Sequence, residues 1–174
     1  MLQIKNLTKK FGDKIAVNHL NLTVDSGDIY GFIGHNGAGK TTTIKAVTGI
    51  SHFDEGEILI DGKSIQSQPI ECKKMMAYIP DNPDLYEHLT GIQYLNFIAD
   101  VYQVDSEKRF QLIDKYSTQF EIKQNLGDLV SSYSHGMKQK LAIISALVHQ
   151  PKLLILDEPF VGLDPKASLR SEEH

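Results

Sequence analysis

A glycine-rich stretch near the start of the chain has the residue types and spacing of a phosphate-binding loop. It runs GHNGAGKT from Gly34 to Thr41 and fits the pattern G-x-x-x-x-G-K-[ST] at every fixed position. Glycines let such a loop curl with its N–H groups facing one centre, at the positive end of the following helix dipole, where phosphate is favoured. A chance match in a glycine-rich turn is the alternative, and the flanking elements argue against it.

Two side chains at the end of this loop differ in their chemistry. Lys40 is a cation that would reach the β- and γ-phosphates of a nucleotide, whereas the Thr41 hydroxyl is a hard oxygen ligand suited to Mg²⁺. Mg²⁺ keeps most of its waters and takes other ligands from phosphate, so few protein oxygens are needed. The residues predicted to bind the nucleotide here are Gly34, His35, Asn36, Gly37, Ala38, Gly39, Lys40, Thr41 and Thr42.

A pair of carboxylates follows an apolar run late in the chain. Asp157 and Glu158 come directly after Leu153–Leu156, and the carboxyl ends of strands are where open α/β sheets bind ligands. We expect Asp157 to hold hydrated Mg²⁺, and we expect Glu158 to be catalytic by orienting the attacking water or accepting its proton. Taken alone, the pair also fits an acidic helix cap after a strand.

The segments around these groups predict the elements that position them. Residues Asp28–Ile33 have the apolar character of a buried strand, and Thr42–Gly49 predicts a short helix after the loop. The run Lys152–Leu156 lies between Pro151 and Asp157, which indicates a fully buried parallel strand. Together these segments predict the strand, loop and helix order that a phosphate loop requires.

The rest of the chain separates into a strand-rich part and a helical part. Apolar residues alternate between Leu2 and Val24 around a turn at Phe11–Lys14, which predicts an antiparallel pair, and short strands are expected at Ile58–Ile60 and Met76–Ile79. Helical spacing predicts a helix capped by Thr90, one that starts near Ser106 and one over Gly136–His149. The predicted divisions are a core with a β flap over residues 1–84, a helical part over 85–150 and a return to the core over 151–174.

Composition narrows the class of protein. The 174 residues are 41% hydrophobic and 23% charged, which is typical of a globular domain, and the net charge of −4 argues against nucleic acid as the main partner. No apolar run approaches the length of a membrane span, and the start of the chain lacks the features of a secretory signal. The single cysteine, Cys72, cannot form an internal disulfide and fits a reducing cytoplasm.

Over residues 2–168 the chain resembles the nucleotide-binding subunit of ATP-binding cassette (ABC) transporters. The phosphate loop and the Asp157-Glu158 pair match that family, and Tyr133-Ser134-His135-Gly136-Met137 stands where the family commonly has a signature segment written LSGGQ. The serine and the second glycine match, while the other three positions depart. By itself Ser134 predicts only a helix N-cap. The resemblance implies that Ser134 and Gly136 contact the ATP of a second subunit in a head-to-tail dimer.

The resemblance also implies roles for three residues outside these motifs. Phe11 stands where the family places an aromatic ring that stacks on adenine, although a core phenylalanine beside a turn is the alternative. Asp81 replaces a glutamine that touches Mg²⁺ and the membrane partner, and Asp164 is a contact across the dimer. The family has a switch histidine on a later strand. His174 lies too close to the carboxylate pair to be that residue, so we expect a truncated cassette.

These observations predict an α/β fold: a P-loop NTPase core with a mainly parallel sheet, an N-terminal antiparallel β flap and a helical subdomain. The resemblance implies an ATPase with ATP and Mg²⁺ that drives a separate transmembrane subunit from the inner face of the cell membrane, more similar to exporters than importers. One alternative is a soluble chromosome or repair ATPase of the same superfamily, although no long coiled coil separates Lys40 from Ser134. A small P-loop kinase and a nucleotide-gated interaction module without hydrolysis are the others.

Overall fold

The structure is a computed structural model that describes residues 1–35 and 37–157. The chain divides into two compact units. The first unit comprises Met1–Ala77 and Lys152–Ile155, and the second comprises Tyr78–Pro151 together with Leu156 and Asp157.

The first unit is built on a four-stranded antiparallel sheet. Strands β1 (Leu2–Phe11) and β2 (Lys14–Val24) form a hairpin around Gly12 and Asp13, and Leu2 lies opposite Val24 on one side and Ile60 on the other. The antiparallel pairing predicted from the alternating apolar residues is therefore confirmed. The strands are β1 Leu2–Phe11, β2 Lys14–Val24, β3 Glu55–Ile60 and β4 Lys63–Ser64, in the spatial order β2-β1-β3-β4.

Two helices pack on this sheet and complete the core of the first unit. Helix α1 spans Lys40–Val47, so the predicted helix is confirmed but begins and ends two residues earlier than expected. Helix α2, Pro69–Met75, was not predicted, although Pro at its first position and acidic and basic residues at its two ends are typical helix signals. Cys72 of α2 is fully buried, and this burial raises the pKa of its thiol, so its role in this core is packing.

Two further strands form a second, parallel sheet. These are β5, Met76–Ile79, as predicted, and β6, Leu153–Leu156. Lys152 N donates a hydrogen bond to Met75 O, and Asp157 N donates one to Ile79 O. The residue numbers increase together along the two strands, so the strands are parallel. The expectation that the late apolar strand is fully buried is wrong, because Leu154 and Leu156 are exposed. In the described part of the chain, β6 pairs with β5 alone. Only the face of β6 that carries Leu153 and Ile155 packs on the core.

The segment before the phosphate loop is not a strand. Residues 28–33 belong to no strand or helix, and Ile29 and Ile33 are 88% and 94% exposed. The prediction of a buried strand over Asp28–Ile33 is therefore wrong for this structure. A strand forms when a neighbouring strand pairs with its backbone groups, and none of the strands in residues 1–35 and 37–157 pairs with this segment.

The described part of the second unit contains three longer helices, as the sequence predicts. Thr90 caps α3 (Gly91–Val101) in a reciprocal capping box with Gln93, and the Asp105 carboxylate caps α4 (Ser106–Gln119). Apolar faces of the three helices pack against one another around Leu95, Leu141 and Ile144. The helices are α3 Gly91–Val101, α4 Ser106–Gln119 and α5 His135–Leu147, with short 3-10 helices at Lys123–Asn125 and Val130–Ser132. None of the described helices has the length and apolar character needed to cross a bilayer.

Candidate functional site

The phosphate-loop residues of the first unit form a tight curl that ends at the start of α1. Gly37 and Gly39 adopt left-handed backbone conformations, with φ of 84° and 88°, and Ala38 N donates a hydrogen bond to His35 O at 3.1 Å. Gly34 differs from these two, because its backbone is not left-handed but a Cβ there would lie 3.1 Å from the Ala38 methyl group, closer than an ordinary van der Waals contact. The sequence identified these glycines, and the structure adds a left-handed backbone at Gly37 and Gly39 and a close approach at Gly34.

Gly39 also fixes the loop against β2. A Cβ at this position would lie 2.5 Å from the main-chain oxygen of Ala16 in β2, so only glycine allows this approach. The Gly39 carbonyl accepts two hydrogen bonds from Thr43, one from its N–H at 2.8 Å and one from its hydroxyl at 2.9 Å. The last glycine of the loop is thereby held on both sides, which sets where α1 begins.

The first turn of α1 is open to an anion. Gly39 provides no side-chain cap, and the first turn contains no acidic residue. The N–H groups at the start of a helix have no partners within the helix, and the helix dipole places partial positive charge there. Because neither a side-chain cap nor a carboxylate competes for this end, its electrostatics favour phosphate.

Lys40 lies over the loop that precedes it. Its ammonium group donates hydrogen bonds to the main-chain oxygens of Gly34 and His35, the latter at 3.1 Å. The side chain thus closes the loop from its end back to its beginning. An ammonium group has three N–H donors, and acceptors among residues 1–35 and 37–157 use two of them.

Thr41 and Phe11 are both exposed in the first unit. The Thr41 side chain lies on the surface at the second residue of α1, where its hydroxyl oxygen is accessible, while Thr42 is half-buried. Phe11 ends β1 with 55% of its surface exposed, and the Lys9 ammonium lies 5.1 Å from its ring centroid. The alternative of a core phenylalanine is therefore wrong, and adenine stacking stays a prediction.

In the second unit, Asp157 lies at the carboxyl end of β6. Its N–H donates to Ile79 O at 2.9 Å, and the Tyr78 hydroxyl donates to Asp157 Oδ2 at 3.4 Å. Burial, and then the negative charge of Asp157, raise the pKa of Tyr78, so the phenol keeps its proton at neutral pH. Sequence reasoning did not identify Tyr78, because no local pattern reports a contact between residues so far apart in the chain.

Asp81 has an exposed side chain and an anchored main chain. Its carbonyl oxygen accepts a hydrogen bond at 3.2 Å from the side-chain amide of Gln139 in α5, which is only 5% exposed. Nearby, Lys138 of α5 forms an ion pair with Glu87. The segment that contains Asp81 is therefore tied to α5, the helix that begins at the candidate signature residues.

Ser134 is the N-cap of α5, as predicted, and its hydroxyl accepts a hydrogen bond from Met137 N at 3.3 Å. Ser134 and His135 are exposed, and Gly136 is half-buried in the first turn. Tyr133, which departs from the family pattern, is buried and donates from its hydroxyl to Asn125 O at 2.5 Å. Gly91 makes room for that hydroxyl, since a Cβ at Gly91 would overlap it. No local sequence pattern indicates this support.

Several predicted site residues lie outside the described residues. These are Asn36 of the phosphate loop, the catalytic candidate Glu158 and the dimer contact Asp164, together with His174. Their roles stay predictions from the sequence.

The described part of the chain contains oxygen ligands suited to Mg²⁺ but no preformed cluster of them. No group of three or more His, Cys, Asp or Glu side chains there could by itself hold a metal ion. The Thr41 hydroxyl and the Asp157 carboxylate are hard oxygen ligands, which fits an ion that takes one or two protein ligands and completes its coordination with phosphate and water. The donor types therefore fit Mg²⁺ bound together with a nucleotide.

Comparison with known proteins gives a consistent result. A family model described as ABC transporter matches residues 17–161. The bacitracin transport ATP-binding protein BcrA of Bacillus licheniformis is 39% identical over 95% of this chain and 53% of its own length. The chain spans about half the length of the first curated relatives it matches.

Solved structures extend the likeness to the fold. One, of an ATP-binding subunit of an ABC transporter, has a TM-score of 0.92 and 34% identity over 97% of this chain and 70% of its own. Another, a dimeric post-hydrolysis state of the ATP-binding cassette MJ0796 bound to ADP and Pi, has a TM-score of 0.83 over 98% of this chain and 79% of its own. At 24% identity this second likeness shows the fold alone. The predicted P-loop NTPase fold is confirmed.

Proposed function

The chain belongs to the ABC transporter family, and we propose that it is the ATP-binding and ATP-hydrolysing subunit of a transporter whose membrane-spanning part is a separate chain. The observation that carries the proposal is the phosphate loop. Its glycines hold a left-handed curl, its lysine lies over that curl, and the helix behind it begins without a side-chain cap or an acidic residue. These features suit a polyanion such as the triphosphate of ATP.

In this proposal the first unit holds the nucleotide. The N–H groups of Gly37 to Thr42 surround the phosphates, and the Lys40 ammonium exchanges its two carbonyl acceptors for β- and γ-phosphate oxygens. Charge-assisted hydrogen bonds to phosphate are stronger than hydrogen bonds to neutral carbonyls, so the exchange favours the bound state. The exposed ring of Phe11 stacks on adenine.

Hydrolysis needs oxygen ligands and a base in addition to the loop. Thr41 and Asp157 would hold Mg²⁺, which when bound neutralises charge on the β- and γ-phosphate oxygens. Asp81 is a further candidate ligand, because a carboxylate stands where the family has an amide. Glu158 orients the attacking water and accepts its proton.

The signature residues serve a second subunit. We infer that two copies associate head to tail with two ATP molecules between them, and that Ser134 and Gly136 contact the nucleotide of the opposite copy. Asp164 contributes a contact across the same dimer. His135 crowds the backbone approach more than the family's glycine would, but it leaves the exposed Ser134 hydroxyl available.

The transporter context is the broadest part of the proposal. BcrA is named for bacitracin transport, and the residues from Tyr78 to Leu89 are similar to those of bacterial exporters. We therefore propose an exporter, with this chain bound through its transmembrane partner at the inner face of the cell membrane. Nucleic acid is not among the proposed partners, in keeping with the net charge of −4.

The experiment that tests ATP binding compares two lysines of the same helix. Lys40→Ala removes the cation over the loop, whereas Lys45→Ala removes an exposed cation in the last turn of α1. We expect Lys40→Ala to abolish binding in a titration with fluorescent ATP and Lys45→Ala to bind like the parent. Unchanged affinity in Lys40→Ala would contradict the assignment of the loop.

Product analysis separates the proposed ATPase from its alternatives. The complete protein is expected to release inorganic phosphate from Mg·ATP, and Glu158→Gln is expected to bind ATP but hydrolyse it slowly, since an amide cannot accept the proton. Transfer of phosphate to a small acceptor would indicate a kinase. Binding without phosphate release by the complete protein with its partner would indicate a nucleotide-gated interaction module.

A further inference from the structure

The Asp157 carboxylate is held from one side by the second unit itself. The Asp157 N–H donates a hydrogen bond to Ile79 O at 2.9 Å, which fixes the main chain from which this side chain extends. The Tyr78 hydroxyl then faces one of its two carboxylate oxygens, Oδ2, at 3.4 Å. Among the described residues, this phenol is the one hydrogen-bond donor to the carboxylate. The other oxygen, Oδ1, is not used by this contact.

The distance indicates an orienting contact and not a tight one. Hydrogen bonds between oxygens usually measure about 2.5–3.0 Å, so at 3.4 Å the phenol directs the carboxylate without clamping it. Contacts of this kind are often long before substrate binds and shorten in the reacting complex. Tyr78 is half-buried on β5, which restricts where its hydroxyl can point.

A neutral donor is well suited to support a carboxylate that must bind a cation. A lysine or arginine in this place would cancel the negative charge of Asp157 and compete with the metal ion. A phenol donates one hydrogen bond and leaves the charge in place. Carboxylates that ligate metals are commonly held in this way by a neighbouring hydrogen bond, which fixes the orientation of the free oxygen.

We propose that Tyr78 is a positioning residue for Asp157, holding Oδ2 so that Oδ1 is presented to the Mg²⁺ that accompanies ATP. This inference rests on the proposed function of Asp157 and adds a residue to it. Nothing in the sequence pattern assigns Tyr78 this role, since its hydroxyl reaches Asp157 across the pairing of β5 with β6.

The test uses Tyr78→Phe in the complete protein, which removes the hydroxyl and keeps the ring. Binding of fluorescent ATP is measured while Mg²⁺ is titrated, and again in excess chelator. We expect the half-saturating Mg²⁺ concentration to rise about 10-fold, as for other partners of metal ligands. Affinity in chelator and the unfolding midpoint should stay as in the parent. Mn²⁺ binding to the nucleotide complex, followed by electron paramagnetic resonance, gives a second readout.

The matched control is Tyr116→Phe. Tyr116 is also half-buried in the second unit, in α4, and among the described residues its hydroxyl makes no hydrogen bond to a carboxylate. This variant should leave the Mg²⁺ dependence unchanged. Asp157→Asn is expected to raise the Mg²⁺ requirement further than Tyr78→Phe, and adding Tyr78→Phe to Asp157→Asn should change little, because the two residues act through one contact.

The possible results separate the two levels of the proposal. An unchanged Mg²⁺ dependence in Tyr78→Phe overturns the positioning role, and so does full additivity with Asp157→Asn. A loss of affinity that is equal with and without Mg²⁺ also overturns it, since that result indicates a structural role for the hydroxyl. A different result would contradict the proposed function on which the inference rests. In that result, ATP binding by the parent protein does not depend on Mg²⁺, and Asp157→Asn does not change it.

Discussion

Two helices of this protein begin at motifs proposed to contact phosphate, and they begin in different ways. Helix α1 follows Gly39, which lies in the left-handed region and has no side chain to cap the helix. Helix α5 follows Ser134, whose hydroxyl already accepts a hydrogen bond from Met137 N. Neither first turn contains an acidic residue, but the two ends differ in how far the chain itself satisfies their N–H groups.

This difference suggests that the two helix ends have different roles in binding phosphate. The start of α1 leaves its N–H groups for a ligand and adds the Lys40 cation, so it can bind phosphate within one subunit. The start of α5 already has one N–H group capped by Ser134, and this hydroxyl can still donate its own hydrogen to a phosphate while it accepts from Met137 N. Such a site is better suited to complete a pocket that another subunit has already filled than to bind nucleotide alone.

The supports behind the two helix ends also differ. Behind α1, a glycine presses against the backbone of β2 at Ala16. Behind α5, the buried Tyr133 hydroxyl is fixed to Asn125 O and fills the space left by Gly91. One support consists of backbone alone and the other of a side chain in a matching gap, so different substitutions should break them.

The largest effect is expected from Gly39→Ala. An alanine here would have to adopt the left-handed backbone conformation, which costs about 1–2 kcal/mol of stability. Its Cβ would also lie 2.5 Å from Ala16 O. We expect ATP binding to fall below detection at concentrations that saturate the parent. Gly37→Ala is the control, because it shares the positive φ but has no heavy atom within 4 Å of the added Cβ. Equal losses in the two variants would show that packing on β2 does not matter.

The second-largest effect is expected from Gly91→Ala, which acts on the support behind α5. Its Cβ would overlap the Tyr133 hydroxyl and lie 3.3 Å from the Leu126 Cα, so we expect a loss of about 1–3 kcal/mol in unfolding free energy. ATP affinity of the monomer should be unchanged. Combining it with Tyr133→Phe should cost less than the sum of the single changes, since removing the hydroxyl relieves the overlap. Strict additivity in chemical denaturation would contradict the proposed fit.

Ser134→Ala addresses the comparison directly. Loss of an N-cap costs about 1 kcal/mol, and the exposed hydroxyl is also the proposed contact to the nucleotide of the other subunit. We expect the monomer to bind ATP normally, while ATP-dependent dimerisation, followed by sedimentation, becomes weaker. Ser131→Ala removes an exposed serine three residues earlier and should leave dimerisation intact. If Ser134→Ala loses monomer binding without unfolding, α5 binds nucleotide within its own subunit.

The smallest effect is expected from Lys138→Met, which breaks the ion pair between α5 and Glu87. The Glu87 side chain is 59% exposed, and pairs of this kind contribute less than about 1 kcal/mol. Thermal unfolding should therefore change little, and ATP affinity should stay the same. A large loss of stability would show that the tie between α5 and the segment around Asp81 depends on this charge pair more than on the buried Gln139 amide.

Much of the local structure could be predicted from the sequence. The strand pair around Gly12, the strand at Met76–Ile79 and the helices capped by Thr90 and Ser134 all appear where their patterns place them. Helix α2 was missed because its seven residues are too few for apolar periodicity to stand out, although Pro69 marks its start. The candidate site shows the same dependence on local pattern. The spacing of its residues identified the phosphate loop, whereas no spacing identified Tyr78.

The sequence by itself determined the features that depend on a few neighbouring residues. The left-handed turns at Gly37 and Gly39, the position of Lys40 at the start of α1 and the cap at Ser134 follow from backbone preferences and hydrogen bonds within one or two turns. Such preferences are written in the residues themselves and need no distant partner.

Only the tertiary structure decided which apolar segments become strands and which distant side chains meet. Residues 28–33 and the β6 strand are both apolar, yet one is unpaired and exposed while the other pairs with β5, because a strand requires backbone partners that its own residues cannot supply. The contacts of Tyr78 with Asp157 and of Tyr133 with Asn125 arise in the same way. Each depends on the folded path of the chain bringing a donor to an acceptor, which no local pattern records.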